Sequence, residues 1–185
     1  MISIARLLLF FVITMGYNAF FRNTVKMNRS LTWVFTFSVI TLVLYLGSLL
    51  GFMLQTVYAI SVLGCLLSLY YLWAVWKKKY RFGRLDYIAL GMMAYLLLFG
   101  ITLWHSPLLH YDNFTHWATI VKFFHINNAL PTQQDTIISY YTYPIGSSLF
   151  IYFFTTIVGF SEGSMLVGQF FLIASSLYAM FAALR

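Results

Sequence analysis

The chain has 185 residues, of which 62% are hydrophobic and 8% charged, and its mean hydropathy is +0.84. A soluble domain carries roughly a quarter charged residues, so this composition excludes a water-soluble globular fold and leaves one compact unit, residues 1–185, built for lipid. The net charge of +7 reads as membrane topology rather than nucleic-acid binding, because the basic residues sit between apolar runs.

About 20 apolar residues are needed to cross a hydrocarbon core of ~30 Å. Residues 2–21 supply a first predicted span, with Arg6 near its start able to snorkel. No small-residue cleavage site follows it, so it is read as a retained helix, not a signal peptide. A basic connection holds Arg22, Lys26 and Arg29. Residues 31–76 contain no charge and are too long for one crossing, so they are divided into two spans with a turn near 51–56. The single cysteine, Cys65, lies in this apolar run and is read as structural. Lys77, Lys78, Lys79, Arg81 and Arg84 form a second basic connection, with Asp86 expected to pair with Arg81 or Arg84.

Residues 87–104 make a fourth span and 105–144 a polar segment. Residues 146–160 are predicted as a fifth span, short unless Tyr143 extends it, and 165–184 as a sixth, with Glu162 in a solvated turn between them. Backbone groups in lipid must be satisfied within the segment, and these runs lack strand alternation, so helices are expected rather than a barrel. The fold class is therefore all-α, a polytopic transmembrane bundle of about six spans. The two basic connections belong on the cytoplasmic side. That orientation puts residues 105–144 outside as an extracytoplasmic loop and the turn at Glu162 inside.

The four histidines, His105, His110, His116 and His125, lie on or beside residues 105–144, with Asp112 and Asp135. Taken as a helix at about 100° per residue, residues 113–127 put Asp112, Thr115, His116, Thr119 and Lys122 on one side. Phe114, Trp117, Val121, Phe124 and His125 fall on the other. Such a helix is too short to span and is expected in the interface plane, aromatic face in lipid. Asp112 is expected to cap its start, and Asn127, Asn128 and Pro131 to end it. On the plainer reading, Asp112 is only a cap and the helix only an anchor. On the sharper one, Asp112 and His116 open into one polar cavity, where Asp112 serves as a general base. Lys122 or a histidine there would balance a phosphate. Asp112, His116 and His110 also suggest a metal site, but the spacing is no zinc signature, so no resident metal and no cofactor is expected.

The run His110-Tyr-Asp-Asn-Phe-Thr-His-Trp-Ala-Thr-Ile-Val-Lys, then Asn128-Ala-Leu-Pro and Tyr141-Thr-Tyr-Pro-Ile-Gly-Ser-Ser-Leu-Phe, resembles bacterial polytopic glycosyltransferases of the GT-C superfamily. The likeness is to a branch with an Asp-x-x-x-His-Trp motif and a Tyr-Pro-x-Gly before the next span. It covers residues 105–160. The resemblance implies transfer of a sugar from a polyprenyl-phosphate donor to a cell-envelope acceptor at the bacterial plasma membrane. Asp112 would be the catalytic base, with His116, Lys122, His110 and Tyr143 as substrate-binding candidates. Membrane lipid, the polyprenyl-phosphate-linked sugar and a further membrane subunit are the implied partners. Three features depart from that family: four predicted spans precede the loop, Asn113 follows Asp112 where an acidic pair is common, and relatives are far longer. An apparently truncated, N-terminal portion of such an enzyme is the expectation. The alternative is a non-catalytic polytopic protein, either a transporter subunit or a scaffold.

Overall fold

A computed structural model of the chain describes residues 4–80, 87–138 and 143–183. Every element among them is helical: α1 (Ile4–Asn23), α2 (Thr32–Leu49), α3 (Met53–Trp76), α4 (Tyr87–Trp104), a π-helical turn (Asn113–Trp117), α5 (Ala118–Asn127), α6 (Gly146–Val158) and α7 (Glu162–Ala183). Five of them, α1 to α4 and α7, are long and apolar enough to cross a membrane. The protein is thus an all-helical membrane bundle, and its many exposed leucines and aromatics face outward as they would into lipid.

Helix directions follow from a few contacts. Asn18 Nδ2 donates to Thr32 Oγ1 at 2.9 Å, joining the end of α1 to the start of α2. The turn between α2 and α3 occupies only Leu50–Phe52, slightly before the predicted 51–56, and Gly51 takes a left-handed φ of +79° there. The chain reverses between α1 and α2 and again between α2 and α3, so α1 and α3 run in the same direction, crossing side by side. Tyr17 OH donates to the Ile60 carbonyl at 2.8 Å, Ser68 Oγ donates to the Val12 carbonyl at 2.5 Å, and the hydroxyls of Thr24 and Tyr71 meet at their far ends. The Arg22–Arg29 and Lys77–Lys79 connections therefore share one end of the bundle. Hydrophobic transfer does not drive helices together in lipid, so dense side-chain packing and such hydrogen bonds carry the association. The packing centres on Phe10, whose ring meets Phe154 at 4.8 Å and Phe171 at 5.7 Å, while Phe37 meets Phe150 at 4.7 Å.

The second half differs from the six-span expectation. Helix α6 has 13 residues, about 20 Å at ~1.5 Å per residue, short of the ~30 Å core. It is a central helix, not a lipid-facing one: Ser148 through Thr155 are all buried. Its first residue, Gly146, lies against Thr41 near the middle of α2. Helix α7 runs antiparallel to α4, with Phe170 against Tyr95 at 5.2 Å and against Phe99 at 6.1 Å. At the top of that pair Gly163 sits directly on the Trp104 carbonyl, and any Cβ there would collide with it. The chain thus leaves α4 and enters α7 at the same end. Glu162 is not in a turn on the opposite face. It begins α7 beside the loop, and Leu108 N–H donates to its Oε2 at 2.9 Å. The expected pairing of Asp86 with Arg81 or Arg84 lies outside the described residues.

Candidate functional site

Everything between Trp104 and Glu162 forms one insertion that departs from and rejoins a single end of the bundle. Asp112 lies in its first helical turn. Its backbone is helical, φ −62° and ψ −21°, and its side chain makes no capping bond. An N-cap residue has extended backbone angles, so the expected capping role is absent. The carboxylate is instead exposed, 58%, with Oδ2 at 3.4 Å from Nδ1 of the still more open His110. That same Nδ1 is 3.3 Å from the Asp112 N–H. A neutral Nδ1 accepts the amide proton, whereas a protonated one pairs with the carboxylate, so the imidazole has two alternative uses.

The helical register then shifts. Ala118 N–H bonds the Asn113 carbonyl, and Thr119 Oγ1 donates to the Phe114 carbonyl at 2.6 Å, both five residues back. This π turn is wider than an α turn and rotates the residues before it away from the faces that a uniform helix gives them. His116 is 4% exposed and its ring meets Trp117 at 4.6 Å and Tyr143 at 4.8 Å. Burial lowers its pKa below the ordinary imidazole value, and the nearby Asp112 charge opposes that shift. Asp112 and His116 therefore do not open together into one polar cavity: one meets solvent and the other the protein interior.

Helix α5 is amphipathic, but its apolar face does not lie in lipid. Ile120, Val121 and Phe124 are buried, and the Phe124 ring packs on Tyr152 of α6 at 5.8 Å. Lys122 is exposed on the other face. His125, expected among the lipid-facing residues, donates its Nε2 hydrogen to Thr155 Oγ1 at 2.8 Å, since the single Thr155 proton points to the Ile151 carbonyl. Its ring is held between Tyr152 and Phe160 at 4.8 and 4.7 Å, and burial lowers its pKa to about 4. The helix ends at Asn127, as expected, with Asn128 left-handed at φ 49°. Tyr152 OH donates to Asn128 Oδ1 at 2.9 Å and locks that end to α6. Asp135 closes its own loop by accepting from Thr132 N–H and Oγ1 at 2.7 and 2.9 Å.

A lateral groove of about 730 Å³ opens between α2 and the approach to α6. Ser38, Thr41 and Tyr45 line it from α2, and Tyr143, Ile145 and Ser147 from the other wall. Ser38 and Thr41 donate to their own helix carbonyls at 2.8 Å each, which leaves their oxygens as acceptors. A second groove of about 430 Å³ shares Ser38 and Leu172 with the first and continues between α2 and α7 past Ser175 to Met180. Of the candidate residues named from sequence, only Tyr143 borders the groove. It joins the groove to His116 by ring contact, whereas Asp112, His110 and Lys122 stand apart from it. The α2 hydroxyls were not singled out from sequence, although Ser38, Thr41 and Tyr45 recur at helical spacing on one face. Among the described residues no three His, Cys, Asp or Glu side chains converge on a metal position, and the inward-facing His116 does not assemble with His110 and Asp112. Comparison with protein-family models, curated proteins and solved structures finds no match.

Proposed function

We propose that this chain is a membrane glycosyltransferase, or the membrane-embedded part of one, which moves a sugar from a polyprenyl-phosphate carrier to a cell-envelope acceptor at the outer face of the bacterial plasma membrane. The observation that carries this reading is the open Asp112 carboxylate beside His110, on an insertion at the end opposite the basic connections. In the proposed reaction an acceptor hydroxyl gives its proton to Asp112 as its oxygen bonds the anomeric carbon. The bond from that carbon to the carrier phosphate breaks with its electron pair, and the phosphate departs already ionised. A cation is then enough to stabilise the leaving group.

The side chains support distinct roles. Lys122 is exposed and suits the phosphate. His116, buried with a lowered pKa, is neutral at pH 7 and unsuited to carry that charge; it serves as a positioning residue behind Tyr143. The lateral groove, lined by hydroxyls and apolar side chains, suits the uncharged prenyl part of the carrier, while its phosphate and sugar lie outside the groove on the side of Lys122 and Asp112. Asp112→Asn keeps the shape and removes the base, so transfer assayed in membranes with a polyprenyl-phospho-sugar should fall roughly 10²–10⁴-fold. Full transfer by the Asn variant would reject the assignment.

A further inference from the structure

The other end of the bundle carries a feature that the transferase reading leaves unused. The connections after α1 and after α3 are held together there by the Thr24–Tyr71 hydroxyl contact and by Tyr71 against Tyr80, ring centres 5.6 Å apart. They bring Arg22, Lys26 and Arg29 to the same end as Lys77, Lys78 and Lys79. The three described acidic residues, Asp112, Asp135 and Glu162, all belong to the stretch from α4 to the start of α7, which leaves and rejoins the bundle at the opposite end.

Two of the lysines are arranged for a membrane surface. Lys77 Nζ lies 4.7 Å from the centre of the Trp76 ring and Lys79 Nζ 4.9 Å from that of Trp73. Both rings are exposed, 74% and 45%. An exposed indole on a spanning helix sits at headgroup level and adds an N–H donor beside each ammonium. The backbone gives a second, independent sign. Lys26 and Lys78 adopt left-handed φ values of 58° and 56° just past the ends of α1 and α3. Glycine is the default residue in that position because it carries no Cβ penalty. A helix C-terminus favours cations, but Lys77 and Lys79 already flank Lys78, so the dipole alone does not call for a third charge in a strained conformation.

We propose that this end seats the headgroup of an anionic glycerophospholipid, its phosphodiester between the 77–79 lysines and the Arg22–Arg29 connection, with its acyl chains along the exposed apolar face of α3. Anionic lipids attract juxtamembrane basic clusters in general. The seat differs from that diffuse attraction in combining paired Lys–Trp contacts with cations from two connections. It is independent of any transferase activity.

The test uses the full chain in nanodiscs of equal parts phosphatidylcholine and phosphatidylglycerol. It is followed by release into detergent and counting of retained lipids by native mass spectrometry. Phosphatidylglycerol should be retained over phosphatidylcholine, and that preference should survive high salt, which screens exposed charges. Lys77→Gln with Lys79→Gln should lower retention several-fold. Lys78→Gly should lower it too while raising the Tm, because glycine relieves the left-handed backbone. Arg6→Gln, at the other end, should change nothing. Equal retention of both lipids, loss of the preference in high salt, undiminished retention in the double variant, or an equal drop in Arg6→Gln would each overturn the proposal.

Discussion

Burial keeps the His125 imidazole neutral down to about pH 4, and this makes the α5–α6 contact sensitive to acid. An unfolded histidine titrates near 6.5. The folded value is depressed, so stability is complete above pH ~6.5 and falls as pH drops from there toward about 4, where the loss levels off. Because the ring is only partly buried, solvent screening reduces the full difference to about 1–2 kcal/mol. Thermal unfolding followed between pH 7 and pH 4 should show this decline, and His125→Gln, which keeps a donor toward Thr155, should flatten it. At Asp112 and His116 the sequence identified the polar residues but not where they point. A 100° step assumes a uniform α-helix, and the π turn at Asn113–Trp117 breaks that assumption between the two. No residue type announces a π turn, and the enclosure of His116 depends on its contact with the distant Tyr143, so the separation of an open carboxylate from an enclosed imidazole was not legible.

At the scale of elements, the pair α4–α7 depends on how closely two backbones approach. Gly163 rests on the Trp104 carbonyl, and α4 has no buried residue of its own. Gly163→Val should therefore lift α4 from α7 and cost about 1–3 kcal/mol, the usual penalty of overpacking. The Tm should fall, and amide exchange should rise along residues 95–104. Helices α1 to α4 were legible because each is an uninterrupted apolar run bounded by charge or a turn. Helix α6 misled because its composition is as apolar as theirs. Its apolar residues face protein: Phe150, Phe153 and Phe154 are wholly buried. Apolarity reports that a helix avoids water, not whether lipid or protein surrounds it, and here only the length of 13 residues separates the two cases.

At the scale of the whole molecule, the contacts Leu108–Glu162 and Trp104–Gly163 put both ends of the insertion on one face. The basic connections are on the other. Single cysteines at positions 109 and 161, in a Cys65→Ala background, should label with an impermeant maleimide from the same side of oriented vesicles. Cysteines at 26 and 78 should label from the opposite side. A six-span arrangement requires 161 to label with 26 and 78, so one gel separates the two topologies. The charge asymmetry of the first two connections was readable because it depends on composition alone. The return of the chain to its starting face was not, because it depends on tertiary contacts 54 or more residues apart.

The enclosed position of α6 also bears on how the chain is made. A segment about 20 Å long cannot stay in the bilayer by itself, and its burial needs α1, α2 and α7 around it. While the ribosome is still extending residues 146–158, their last partner has not yet been translated. This stretch must wait at the exit from the insertion machinery until α7 emerges and closes over it. Nascent chains arrested before α7 should accordingly be open to protease within residues 146–158, and released full-length chains protected there.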